Sequence, residues 1–389
     1  MKISSTKALA RIRQDSPQAK YKCKKGGLFL FNDGGGTILS PSDDNLQSVI
    51  GRFRGNMESV PPAMTAWLKE TDKEIAFAKQ HAIPKGIVKA KAVAGDAEPP
   101  RGRKSIKPLI KATWGQSAPY NQDLKFDGKS VIVGCNAVAI GMIMLYWAKK
   151  GYRRGCTATK AYTSKTAKYK VPSLAARMSF DFDNMTFGKP STSAQKKAIA
   201  DMLRHIGYAL QSDYTTNLTT APVANDVTVL AKSVRMGDTE RILARNGYAA
   251  WEGQIYDEIT NERPVLVLGC TSSGGCHIFV VDGYDASTDM YHVNWGWGGS
   301  CNGYFRLSVL DATAAKAYSS NKQAIIGINP YHNGDVNDDG EVTITDAMKV
   351  MEMAEQDRND PRADVNYDDK VTTADANAIV EHVLGENKL

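Results

Sequence analysis

The 389-residue chain has no apolar run approaching the ~18 residues a membrane-crossing helix needs, so a transmembrane segment is excluded. The opening Met1-Lys2-Ile3-Ser4-Ser5-Thr6-Lys7 lacks the apolar core of a signal peptide. The chain is therefore cytosolic or the trimmed form of an exported protein. The motifs below favour trimming, and a secreted or cell-surface protein is expected. Cysteine is scarce, with six residues at 23, 135, 156, 270, 276 and 301. They are too few and too irregular for a disulfide scaffold, and the absence of a CxxC pair argues against structural zinc. The basic residues Lys20, Lys22, Lys24 and Lys25, or Arg101, Arg103 and Lys104, come without any nucleic-acid motif and read as solvated surface.

What is present is ordinary for a globular protein, 42% hydrophobic and 23% charged, and too long for one core. The net charge of +7 hides a break in sign. From Asn333 onward five Lys/Arg face fifteen Asp/Glu, a net of −10, which leaves +17 for the rest and places a boundary near 333. Three segments are expected: 1–104, 105–332 and 333–389. The first reads as an amphipathic helix, the strands 27–31 and 37–40 about a triple-glycine turn, and a helix after Pro61-Pro62. It ends in an Ala/Lys/Gly/Pro-rich stretch, 85–104, of the kind proteases cut. The second has helices from Gly134-Cys135 through Trp147 and after Ser193, taken as the N-cap. Strands follow at 264–268, 277–281, 290–294, 303–307 and 324–328. Helices first and an antiparallel sheet afterwards make an α+β fold.

The third segment repeats itself. Asp335, Asn337, Asp339, Glu341, Thr343 and Asp346 recur 29 residues later as Asp364, Asn366, Asp368, Lys370, Thr372 and Asp375. Carboxylate and amide oxygens at positions 1, 3, 5 and 12, with a backbone carbonyl at position 7, make an oxygen cage suited to Ca²⁺. Asp369 stands where the pattern has a turn glycine, so the second loop is expected to be strained or weaker. An apolar helix follows each loop, at 347–353 and 376–384.

The chemistry converges on Cys135 and His277. Cys135 sits where the β-rich Ser130-Val131-Ile132-Val133 turns into a long apolar helix. A helix N-terminus and a neighbouring imidazolium are what lower a thiol's pKa. His277 opens an apolar strand 142 residues later. That separation fits papain-like thiol proteases, roughly 130–150 residues. Cys276, beside it on a strand, is expected to face the core.

Trp114-Gly115-Gln116-Ser117-Ala118-Pro119-Tyr120-Asn121, Gly134-Cys135-x-Ala137, Gly275-Cys276-His277-Ile-Phe-Val-Val-Asp-Gly and Tyr291-His-Val-Asn-Trp-Gly-Trp-Gly-Gly together resemble the streptopain family of bacterial cysteine proteases. The likeness covers about 1–330, because the first segment resembles that family's inhibitory propeptide, and the tail resembles a type I dockerin. The resemblance implies Cys135 as nucleophile and His277 as base. It implies Asn294 as the group orienting the imidazole and Trp295 as cover over that contact. Gln116 would share an oxyanion hole with the backbone N–H of Cys135. It also implies a secreted zymogen acting on peptide bonds, held inactive by its own propeptide, with structural Ca²⁺, no catalytic cofactor and a cohesin-like partner for the tail. His292 has no assigned partner and reads as structural. Asp282 or Asp285 as orienter would suggest a transglutaminase-like site instead, and a silent protease-like binding module is the competing function. Two residues depart from the family pattern: Cys276, where glycine is common, and Asn136, where a small or β-branched residue is usual.

Overall fold

In the computed structural model the described residues are 2–44, 46–55, 60–80, 102–237, 239–243, 248–270, 276–308, 322–330, 333–337 and 339–386. Most of the expected cleavage stretch, 85–101 with Arg101, lies outside them, as do the side chains of Cys270 and Cys276. The chain forms two compact units, 1–109 with 241–326 and 110–240 with 327–389.

The first unit is organised by one sheet. Helix α1 (Ser5–Ile12) is capped by Ser4, whose Oγ accepts from the Lys7 N–H, and buries Ala8 and Ile12. A meander follows: β1 (Lys20–Lys25), β2 (Leu28–Asp33), β3 (Gly36–Pro41) and β4 (Gly51–Arg54). The next helix, α2 (Pro62–Gln80), starts at the expected prolines and turns Met64, Trp67 and Ile75 inward.

Later in the chain this unit adds β9 (Glu240–Leu243), α6 (Tyr248–Thr260), β10 (Val265–Cys270), β11 (Cys276–Asp285), β12 (Met290–Asn294), β13 (Gly303–Phe305) and β14 (Gln323–Ile326). The sheet runs β1-β2-β3-β4-β13-β12-β11-β10-β14-β9, and the pairings from β1 through to β14 are antiparallel. The N-terminal meander is therefore spliced onto the later strands at β4–β13, where Gly303 faces Phe53. A Cβ on Gly303 would lie 2.2 Å from the Arg52 carbonyl oxygen, so the close approach of the two strands requires glycine. Leu39, Phe53, Trp67, Val281, Val293, Trp295 and Phe305 fill one core that N-terminal and later elements share.

The second unit carries α3 (Cys135–Ala148), α4 (Ser193–Ala209) and α5 (Val223–Thr228), with the short hairpins β5–β6 (Lys125–Phe126, Lys129–Ser130) and β7–β8 (Tyr162–Thr163, Lys170–Val171). Helix α3 is buried along nearly its whole length, which is why its sequence is apolar on every side. The cap of α4 is Thr192, not Ser193. Thr192 is extended and its Oγ1 accepts from the Gln195 N–H, while Gln195 reaches back to it in a capping box. The β-rich run Val131–Val133 belongs to no strand; its backbone bonds go to loops instead.

The tail forms α7 (Ile344–Glu355) and α8 (Thr373–Val383) over Val336, Val350, Met353, Val365 and Ile379. Both helices start earlier than the apolar pattern suggested, because Thr343 and Thr372 cap them with Asp346 and Asp375 completing each box.

Candidate active site

Cys135 is the first residue of α3, and 5% of its surface is exposed. Its N-cap, Gly134, has φ +97°, and a Cβ there would lie 2.9 Å from Thr219 Cγ2. Only glycine turns the chain into the helix at this point, and the turn leaves Cys135 at the positive end of the helix dipole, where a thiolate is favoured.

The approach to Cys135 is pinned residue by residue. Asn121 Nδ2 donates to the Val131 carbonyl at 2.7 Å, Thr219 Oγ1 to the Ile132 carbonyl at 2.8 Å, and the Val133 N–H to the Gln116 carbonyl at 2.9 Å. The last bond ties the buried Gln116 to the strand of chain that delivers Cys135. Nearby, Trp114 is fully buried with Nε1 donating to the Thr186 carbonyl, which anchors the segment leading to Gln116.

One further residue here is not marked by its own sequence context. Asp226, on α5, is fully buried, and both its oxygens accept from Asn136 Nδ2, at 2.8 and 2.9 Å. Burial pushes its carboxyl up to about 7, against the lowering effect of the Asn136 amide. Asn136 Oδ1 lies 3.4 Å from Cys135 Sγ, in position to accept from the thiol. A polar Asn in the first turn of an otherwise apolar helix was the available signal, since a buried amide demands a partner.

His277, Asn294 and Trp295 belong to the first unit. His277 lies on β11, and burial holds its imidazole below the usual histidine range. Asn294 ends β12 opposite Val280, and its Oδ1 accepts from the Gly296 N–H at 3.2 Å. Paired residues share a face and neighbours alternate, so Asn294 takes the face of Val280 and His277 that of Phe279. Trp295 lies with its ring 4.8 Å from Phe279 and 5.2 Å from Phe305, and its Nε1 donates to the Cys301 carbonyl.

The aspartates weighed as alternative orienters are engaged elsewhere. Asp282 Oδ1 is 2.6 Å from His292 Nδ1, which gives His292 the partner its sequence context did not reveal. Asp285 builds the following turn, accepting from the Ser287 N–H and from the Ser287 and Thr288 hydroxyls.

In the tail the two loops share one hydrogen-bond pattern. Asp335 accepts from the Asp339 and Gly340 N–H groups, and Asp364 from those of Asp368 and Asp369. Asn337 and Asn366 accept from Asp339 and Asp368, which in turn accept from the Glu341 and Lys370 N–H groups. Asp346 and Asp375 close each loop. Four carboxylates, at 335, 346, 364 and 375, are buried within two turns of chain, and burial raises the Asp375 carboxyl. Such a set fits a bound cation of the calcium type. Thr343 and Thr372 give their hydroxyls to the capping carboxylates, and at position 7 Glu341 and Lys370 would offer a backbone carbonyl. Among the described residues no three His, Cys, Asp or Glu side chains converge as a metal centre on their own. Asp369 adopts φ +67°, as Gly340 adopts +90°, so the left-handed turn is kept with an aspartate. It lies 3.8 Å from Arg235, whose guanidinium also donates to Asp364 and covers the Tyr367 ring at 4.2 Å.

Residues 114–305 match the Peptidase C10 family and residues 333–384 the dockerin type I domain. The chain is 25% identical to streptopain of Streptococcus pyogenes over 362 residues, 85% of this chain and 88% of that one. It is 26% identical over 361 residues to the thiol protease/hemagglutinin PrtT of Porphyromonas gingivalis, covering 83% of this chain but 39% of that protein's length. Among solved structures, a prointerpain A fragment of Prevotella intermedia aligns with TM-score 0.66 and 23% identity over 81% of this chain and 99% of that one. Active interpain A aligns at 0.50 and 25% identity, over 58% of this chain and 95% of that one. The first is a likeness of fold, a papain-like α+β protease with its N-terminal segment in place.

Proposed function

The chain is a cysteine peptidase carrying a peptidase C10 family domain and a C-terminal dockerin type I domain, and from that premise we propose that it is the latent form of a secreted or surface-attached endopeptidase. Residues 1–104 serve as the inhibitory propeptide, 105–332 as the catalytic domain and 333–389 as a calcium-binding docking module. The observation that carries the reading is Cys135 at the N-terminus of a buried helix, with Gln116 bonded to the residue two before it.

In the reaction His277 takes the thiol proton, and the Cys135 thiolate attacks the scissile carbonyl carbon. The backbone N–H of Cys135 and the Gln116 side chain stabilise the oxyanion. His277 then protonates the leaving amine, which leaves an acyl-thioester. Water, deprotonated by His277, releases the acid and restores the thiolate. Asn294 orients the imidazole and Trp295 screens that contact from water.

Latency is supported by the shared sheet and core: Trp67 of α2 packs against Trp295 at 6.4 Å and Phe305 at 5.2 Å. Activation cleavage between about 93 and 106 is narrowed by Arg103, whose guanidinium is paired with Glu252 and stacked 4.3 Å over Tyr256. That engagement withdraws Arg103 from a trypsin-like protease and favours a cut ahead of it. Loops 335–346 and 364–375 each hold one Ca²⁺, and the tail binds a cohesin-like partner.

The test is labelling with an active-site thiol probe after removal of the propeptide, alongside peptide hydrolysis. Labelling at Cys135 and loss of hydrolysis in Cys135→Ala are expected. A folded chain that neither labels nor hydrolyses would support a silent binding module instead.

A further inference from the structure

Asn136 follows the nucleophile directly, and its amide is held from both ends. Nδ2 donates to the two oxygens of Asp226, while Oδ1 faces Cys135 Sγ at 3.4 Å. An ionised carboxylate only accepts, so it dictates which end of the amide meets the sulfur. The end it leaves there is the carbonyl, which accepts from S–H and offers nothing to S⁻. A nucleophile at a helix N-terminus is thereby paired with a group that favours its inactive form.

We propose that Asp226 is a positioning residue that sets the protonation of Cys135 by orienting the Asn136 amide. Ionised Asp226 holds the carbonyl on the sulfur and keeps the thiol. Protonated Asp226 donates its O–H to Asn136 Oδ1, the amide turns over, and Nδ2 donates to the thiolate. The proposal rests on the reading of Cys135 as nucleophile. The buried carboxyl has its midpoint at about 7, so both forms are reached near neutrality. Around Asp226, α5 carries no second titratable side chain, and the facing turn of α3 contributes Cys135 and Asn136. The turn after α5, Val229–Ser233, contributes Lys232, which is exposed. Burial and the Asn136 amide are the two influences on the carboxyl.

The experiment is a titration of the full chain followed by thiolate ultraviolet absorbance, with the Cys135→Ala chain subtracted. Asp226→Asn supplies an N–H where the protonated acid supplies its O–H, so the Cys135 midpoint is expected to fall by at least about one pH unit. Each unit is a tenfold larger thiolate fraction below the midpoint. Asn136→Val cuts the relay, and in that background Asp226→Asn is expected to move nothing. An unmoved midpoint in Asp226→Asn overturns the proposal, as does an equal shift in both backgrounds. Near-ultraviolet circular dichroism identifies a variant that has not folded. Should Asp226→Asn fail to fold, Asn136→Val alone decides, since losing the carbonyl acceptor must lower the midpoint. Persistent hydrolysis by propeptide-free Cys135→Ala would instead refute the nucleophile itself.

Discussion

Glu74 is the residue whose loss should loosen the N-terminal segment most. It lies on α2, buried to 1% exposure, and accepts from Lys322 Nζ at 2.5 Å and from Ser308 Oγ at 3.0 Å. Lys322, 7% exposed, also donates to the Leu307 carbonyl. The pair thus joins α2 to the chain entering β14. Removing one member of a buried ion pair costs about 3–5 kcal/mol, because the other charge stays buried without its counter-ion. Glu74→Gln preserves shape and strands the ammonium, so it should carry most of that cost. The double change Glu74→Met with Lys322→Met removes both charges at similar volume and should be near neutral or stabilising. A chain of two compact units need not unfold in one step, so the assay is hydrogen exchange over 62–80 in the Cys135→Ala background. At about 1.4 kcal/mol per decade, exchange through opening of α2 should quicken about 10²- to 10³-fold in the single variant and return towards the parent in the double. A single variant within about 0.5 kcal/mol of the parent, the scale of an ordinary surface change, would refute the reasoning.

Gln116→Ala should lower kcat about 10²- to 10³-fold with little change in KM on a peptide substrate, the loss expected for one oxyanion donor. The depressed His277 pKa means the unfolded chain binds a proton the folded chain refuses below about pH 6.5. Stability of the full chain should therefore fall as pH drops through that window, and His277→Gln should flatten the fall, read by denaturant midpoints at several pH values. Arg235→Ala should raise hydrogen exchange over 361–369 while 339–346 stays protected, because the guanidinium bonds to Pro361 and Asp364 and lies near Asp369. Calorimetry on residues 333–389 should give two Ca²⁺ sites with the second weaker, since Asp369 holds a left-handed turn where the first loop has glycine. Equal affinities would contradict that argument.

How far the sequence reached depended on whether each signal was local. Caps, turns and repeats are local. Thr343 and Thr372 could have been read as N-caps from the Asp three residues on, and Thr192 from Gln195. The pairing of Asp282 with His292 follows once Gly283 is seen opposite His292 in a hairpin. The run Val131–Val133 is β-rich yet belongs to no strand, because β-branched residues favour extended chain without saying what it pairs with, and here loops satisfy it. The splice of β4 onto β13 joins residues some 250 apart, which no pattern within either segment announces. The face assigned to His277 relative to Asn294 depends on a one-residue register, the quantity alternation leaves most open. Asp226 was hidden for the same reason: its importance lies in touching Asn136, ninety residues away.

The shared sheet bears on the proposed activation. A cut ahead of Arg103 would leave β13 as an edge strand of only three residues, short enough to be a small aggregation liability. The new N-terminus would stay fastened, because Ile106 bridges to Tyr284 and the Leu109 N–H bonds to the Asp282 carbonyl. What departs takes apolar cover from Trp295 and Phe305, on which Trp67 packs, with Phe53 stacked on Phe305 at 5.8 Å. Burying such rings is worth roughly 1.5–3 kcal/mol each, so cleavage alone leaves a fragment that still binds. On the proposed latency, inhibition should therefore outlast the first cut and end only when the fragment is degraded or displaced. Adding the isolated N-terminal segment back to activated enzyme should restore inhibition, and a segment carrying Trp67→Ala should do so far less well.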